Sequence, residues 1–333
     1  MLSKTEAIVV SVASMVLWGS WPNLSKLSGA PWRSQYFYQS LGAFVVLVAS
    51  AYVLSEDPVA VPRWAVAGLA VSSGFCCGCG VLLLVAAIAA DGVYLAVPLS
   101  NGLGTALGTL LLYLVERKSH DVEAAWLFTG VALVLFAISA NSLSPLLRND
   151  DENFLKEREK RKGGMAATCL LEPPSPPPPE RPGLTLAIIS GVCFAAWPLF
   201  EDLAVLDYDA RLGRHFLIPF AIGYLAATAL LVFAHDDDDI RLSVRQRLYG
   251  LLAGITWGLG AVCLLAAGIT LGMAVAVAVA QCNPMIASLY GIALWKELPA
   301  SAPLIEKATV ATSLLLFLLG VLAFFFSTSA NLR

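Results

Sequence analysis

Apolar residues along this chain fall into long, uninterrupted blocks, and the polar residues collect between them. Ten blocks can be traced, near 7–27, 35–54, 63–88, 93–115, 122–144, 183–205, 214–234, 247–269, 272–295 and 305–327. Each is about 20 residues or more, the length a helix needs to cross ~30 Å of hydrocarbon. Only helices or closed barrels satisfy the backbone in lipid, and barrel strands would alternate over ~10 residues. These blocks do neither, so the pattern predicts ten transmembrane helices. Composition supports this, with 58% hydrophobic and only 14% charged residues, against about 25% charged in a soluble domain. A single water-soluble core is excluded. The first block lacks a small-residue cleavage site followed by a soluble domain, so it reads as a span rather than a removed signal.

The longest polar stretch, 146–182, divides the blocks five and five. It begins with mixed charge between Arg148 and Lys162 and ends in the proline run Pro173–Pro179, a semi-rigid linker. A linker in that position prompts a search for internal repetition. Val16-Leu17-Trp18-Gly19-Ser20-Trp21-Pro22 matches Val192-Cys193-Phe194-Ala195-Ala196-Trp197-Pro198 at an offset of 176. At an offset of 180, Gly74, Gly78, Gly80 and Gly92 fall on Gly254, Gly258, Gly260 and Gly272, and at 181 Glu116 falls on Glu297. An odd number of spans per repeat forces the second half to insert upside down. The expected fold is therefore an all-α, polytopic membrane protein: ten transmembrane helices as two inverted five-helix repeats, 1–145 and 183–333, joined by the 146–182 loop. Alternating-access carriers are built this way, with cargo held near the midplane. The spacing of Gly74 and Gly78, Gly104 and Gly108, and Gly254 and Gly258 predicts helix-packing seams.

Trp18-Gly19-Ser20-Trp21-Pro22 in the first helix, and a Glu after the fourth helix of each half as in Leu294-Trp295-Lys296-Glu297, resemble the drug/metabolite transporter superfamily. Within it, the chain is most similar to the ureide permeases. The likeness lies in Leu17–Pro22, in Gly191-Val192-Cys193-Phe194 and in the stretch Pro284–Glu297. That resemblance implies a secondary carrier of allantoin, uracil or related neutral heterocycles, with protons as the coupling ion. Plant ureide permeases carry a phosphate-loop-like motif in their central loop, and 146–182 has none, so nucleotide-linked regulation is not implied. Sugar carriers of the same superfamily share the first-helix pattern, which makes a sugar or nucleotide sugar the alternative cargo.

Polar and aromatic side chains inside apolar helices are where a carrier holds its cargo. Trp18, Trp21 and Asn23 flank Pro22, which frees a backbone carbonyl one turn earlier, and Trp197-Pro198 repeats the arrangement. Asn101 near Pro98 and the pair Gln281 and Asn283 near Pro284 supply amides at matching levels of helices 4 and 9. An amide both donates and accepts, which suits a heterocycle edge or a hydroxyl, although interhelical pairing is the plainer role. Lys26 and the Glu201-Asp202 pair occupy equivalent ends of helices 1 and 6 and are candidates for coupling or gating. Residues at such ends more often snorkel to the headgroups.

The net charge of −3 suggests no nucleic-acid partner, and His235 with the run Asp236–Asp239 reads as a solvated turn. Most of the seven cysteines lie within apolar blocks and read as packing; Cys76-Cys77-Gly78-Cys79 lacks zinc-site spacing. His120, His215 and His235 sit at loop edges without metal-ligand spacing, so an enzyme is disfavoured. No cofactor is implied. The expected partners are a small-molecule substrate, protons and the lipid bilayer, in a plasma or an internal membrane, with a homodimer left open. Seven Lys and Arg in 146–182 favour that loop in the cytoplasm. Ten spans place both termini on one face, so accessibility tags at the two ends should be labelled from the same side. Labelling from opposite sides would sink the span count.

Overall fold

The computed structural model describes residues 2–54, 64–91, 93–116, 122–163, 182–208, 214–233, 242–296, 298 and 302–328. Gly92, Cys169, the run Pro173–Pro179, His120, His235–Asp239 and Glu297 lie outside the described residues. Every regular element within them is helical: α1 (Lys4–Ser28), α2 (Trp32–Leu54), α3 (Trp64–Asp91), α4 (Val93–Glu116), α5 (Ala124–Gly163), α6 (Pro182–Tyr208), α7 (Arg214–Ala226), α8 (Val244–Leu271), α9 (Met273–Ala280), α10 (Asn283–Ala293) and α11 (Leu304–Ser327). Local sequence sets several ends. Ser3 with Glu6, and Ser243 with Gln246, form reciprocal capping boxes that start α1 and α8. Gly29, at φ 59°, closes α1 in the left-handed conformation.

Among the described residues nine helical spans are long and apolar enough to cross a membrane. A shorter apolar stretch, His215–Leu231, lies at about the lower limit of spanning length. The outer surface is apolar, with Val53, Trp64, Phe136 and Leu304 more than two-thirds exposed, while Gln39, Ser73, Ser100 and Glu201 are buried. Water would not tolerate that distribution, but lipid does. The chain is an integral, multi-pass α-helical membrane protein.

Three elements differ from the sequence expectation. The ninth span is broken into α9 and α10 at Gln281 and Cys282. The seventh tightens into a 3-10 stretch, Ala227–Phe233, where the Thr228 hydroxyl donates to the Leu225 carbonyl at 2.5 Å. The fifth does not end at 144: α5 runs 40 residues to Gly163, so the charged first part of the 146–182 stretch continues the fifth helix. At 1.5 Å per residue α5 is roughly 60 Å long, about twice the hydrocarbon thickness.

The packing repeats itself. α1 packs on α8 as α6 packs on α3, and α2 on α8 as α7 on α3. α1 meets α9 and α10 as α6 meets α4. Single contacts repeat too. Ser14 donates to the Gly260 carbonyl at 2.8 Å and Ser190 to the Gly80 carbonyl at 2.7 Å, a match at the offsets of 176 and 180. The closest approaches are backbone on backbone. A Cβ built on Gly254 would meet the carbonyl oxygen of Gln39, and one on Gly42 that of Leu251, nearer than the 3.0 Å that real Cβ atoms respect. Gly74 against Phe220, and Gly223 against Val71, reproduce that pair between α3 and α7. Gly104 and Gly108 seat α4 on Phe194 and Ala195 of α6, and Gly258 seats α8 on Ala43.

Gly254→Leu and Gly74→Leu should each destabilise the protein by about 1–3 kcal/mol or more through overpacking, seen as a lower Tm in detergent. Gly68→Ala, where nothing lies within 4 Å of the added atom, should leave Tm unchanged or slightly raised.

Candidate functional site

Four helices meet on one aromatic cluster. Trp18 of α1 is buried, and its indole Nε1 donates to the Trp257 carbonyl of α8 at 3.1 Å. Its ring stacks with Trp257 at 6.1 Å and 13° and meets Trp197 of α6 edge-on at 6.3 Å. Tyr224 of α7 stacks with Trp257 at 4.5 Å, and Phe220 packs on Trp197 at 5.8 Å. Gly260 makes room for the Trp18 ring, as Gly80 does for Phe194, its counterpart 176 residues on. The sequence match pairs Trp21 with Trp197, but it is Trp18 that touches Trp197; Trp21 is half-buried against the core.

The carboxylates of α6 lie deep. Glu201 is 1% and Asp202 4% exposed, so neither snorkels to the headgroups. Glu201 follows Trp197 by one turn, and the Trp197 carbonyl accepts a hydrogen bond from Ser73 of α3 at 2.7 Å. Lys26, the counterpart of Asp202, is exposed and sits 4.5 Å over the ring of Trp295, beyond the end of α10. The Trp295 indole donates to Asn23 Oδ1 at 2.6 Å, and Asn23 Nδ2 donates to the Gly19 carbonyl at 3.3 Å. Ser20 and Tyr290 add a contact of 3.4 Å. Asn23 and Lys26 therefore form a latch with Trp295 and are not part of the Trp18 cluster.

The break between α9 and α10 is organised by Pro284. It has no N–H for the Ala280 carbonyl four residues earlier, and the Asn283 side-chain amide donates there instead, at 3.1 Å. Gln281 is buried in the turn itself. Across from α9, Asn101 is buried on α4, which continues unbroken past Pro98. α1 closes on the break at Gly19, where a Cβ would collide with Ile286 and the Asn283 carbonyl. Sequence reasoning did not assign the hydrogen bonds by which hydroxyls tie the helices together. Ser100 and Ser190 share a hydrogen bond at 2.7 Å, and Tyr36 donates to the Gly78 carbonyl at 2.8 Å. Their signal was a polar residue within an apolar block. Among the described residues no three His, Cys, Asp or Glu side chains could hold a metal, and the six described cysteines are free thiols. Buried amides, hydroxyls and carboxylates are groups that can hydrogen-bond a small molecule.

Residues 180–326 match the model of a family described as "Sugar transport protein". Over 313 residues the chain is 23% identical to a "Putative sugar uptake protein" of Listeria monocytogenes, covering 94% of this chain and 96% of that protein. A solved crystal structure superposes with a TM-score of 0.63 at 16% identity, over 99% of this chain and all of the other, and so shares the fold. The family is described by sugar transport and the relative by sugar uptake, neither by a ureide or nucleobase.

Trp295→Phe removes the N–H that Asn23 accepts. It should cost about 0.5–1.5 kcal/mol, read as a fall in Tm in detergent. Asn23→Ala should cost a similar amount, and the double variant little more than either alone. Additive losses would show that the two side chains do not interact.

Proposed function

We propose that this transporter carries a sugar by alternating access between two inverted five-helix halves, 1–145 and 183–333. The observation that carries the mechanism is the repeated packing, in which Gly42 with Gly254 and Gly223 with Gly74 hold equivalent crossings in the two halves. Equivalent crossings allow each half to adopt the other's arrangement around a shared centre. Sugar is favoured over a ureide or nucleobase because the family match and the full-length relative both carry sugar descriptions. The ureide resemblance rests on short motifs.

In this scheme the aromatic junction of Trp18, Trp197 and Trp257 blocks the path between the faces. Asn101, Gln281, Asn283 and Trp21 contribute to the cargo-binding wall, amides pairing with sugar hydroxyls. Asn23 and Lys26 act as a gate with Trp295. Glu201 and Asp202 carry the coupling proton. A carboxylate within a membrane span is costly when ionised, so movement of a half that changes its exposure also changes its affinity for a proton.

Purified protein in liposomes should take up labelled D-glucose or D-ribose, faster under an inward proton gradient. Glu201→Gln or Asp202→Asn should remove that acceleration while leaving exchange without a gradient. Uptake of allantoin or uracil in place of either sugar would return the cargo to the ureide class. Sugar uptake indifferent to the gradient would leave the carrier standing and refute the coupling role.

A further inference from the structure

Two buried polar side chains near the aromatic junction have no hydrogen-bond partner among the described residues. Gln39 on α2 is fully buried, and both its Oε1 and its Nε2 lack a hydrogen-bond partner among the described residues. Tyr224 on α7 is fully buried, and its hydroxyl is likewise unmatched. Burying such groups unpaired is unfavourable, and each instance in a folded protein has a reason. In lipid the penalty is not relieved by bulk water.

Contacts place the two residues in one belt. Gln39 lies one turn after Tyr36 on α2, and Tyr36 reaches across to the carbonyl of Gly78 on α3. Gly78 in turn abuts the backbone of Tyr224. The Tyr224 ring stacks with Trp257 of α8 at 4.5 Å. Three residues before Trp257, Gly254 abuts the backbone of Gln39, which closes the belt. Stacking with Trp257 fixes the Tyr224 ring and with it the position of the hydroxyl. The repeat does not explain these groups, because the counterpart of Gln39 at an offset of 181 is Phe220, packed on Trp197. A polar side chain stands in one half where the other has an aromatic one.

We propose that Gln39 and Tyr224 are sugar-binding residues that hydrogen-bond hydroxyl groups of the transported molecule. A carboxamide offers two N–H donors and a carbonyl acceptor, and a phenol both donates and accepts. Hydroxyls on a sugar ring each donate and accept, so they can meet the unmet capacity of either residue. This assignment rests on the sugar-carrier reading above and adds two residues to it.

The test uses full-length Tyr224→Phe, which loses one oxygen, and Gln39→Leu, which keeps the bulk. Two quantities are measured: Tm without sugar, and KM for uptake of labelled D-glucose and D-ribose. A group left unpaired in the absence of cargo stabilises nothing, so Tm should hold or rise in both variants. KM for the transported sugar should rise roughly 3- to 10-fold in each, as expected for a lost hydrogen bond. Active variants with unchanged KM would overturn the assignment while leaving the carrier intact. A fall in Tm with unchanged KM would show that both groups bond within the protein, and would overturn it too. Wild-type protein that moves neither sugar would overturn the sugar reading and this assignment together.

Discussion

The structure depends on how closely its backbones approach. Between helices in lipid there is no hydrophobic force to draw on, so association rests on dispersion and interhelical hydrogen bonds. Both fall off steeply with distance. Gly42 and Gly254 let α2 and α8 touch main chain to main chain, and Gly74 with Gly223 do so for α3 and α7. Everything between these crossings inherits its position from them. Ser14 and Ser190 reach the carbonyls of neighbouring helices, and the ring of Trp18 fits over Gly260, only because the backbones are this near.

The second determinant is where the helices depart from regularity. Pro284 removes one donor, and Asn283 returns it from a side chain, so the ninth span is interrupted without an orphaned Ala280 carbonyl. The interruption lies where α1 and α4 both pack, and it places the Gln281 amide inside the protein rather than in lipid. Polar groups of Asn101, Glu201 and Asp202 are buried in the same interior. Such groups are tolerated at this depth only when enclosed by protein.

Much of this was written plainly in the chain. Blocks of apolar residues give the number and class of the spans, because lipid imposes one length on all of them. Gly74 and Gly254 were found as seams because their neighbourhoods in α3 and α8 align. Their partners Gly42 and Gly223 were not, since α2 and α7 share too little around them, with polar Gln39 set against aromatic Phe220. The depth of Glu201 and Asp202 was misjudged because α6 continues to Tyr208, past the end that hydropathy assigns. The break at Gln281 and Cys282 has no glycine to announce it. Polar and aromatic residues that the helices bury were thus largely legible, while their partners were not. Trp21 aligns with Trp197 in sequence, yet the ring that meets Trp197 is that of Trp18.

The latch of Asn23 and Lys26 on Trp295 has no twin. The repeat offsets put Leu199, Asp202 and Leu114 at the equivalent places, where no indole can donate and no ammonium can cover a ring. A carrier that swaps the arrangements of its halves therefore alternates between two end states of unequal energy. The empty protein would rest facing one side, and its reorientation in one direction would be slower than in the other. Under the proposed exchange of arrangements, this unmatched clasp would polarise the cycle kinetically, before any gradient is applied.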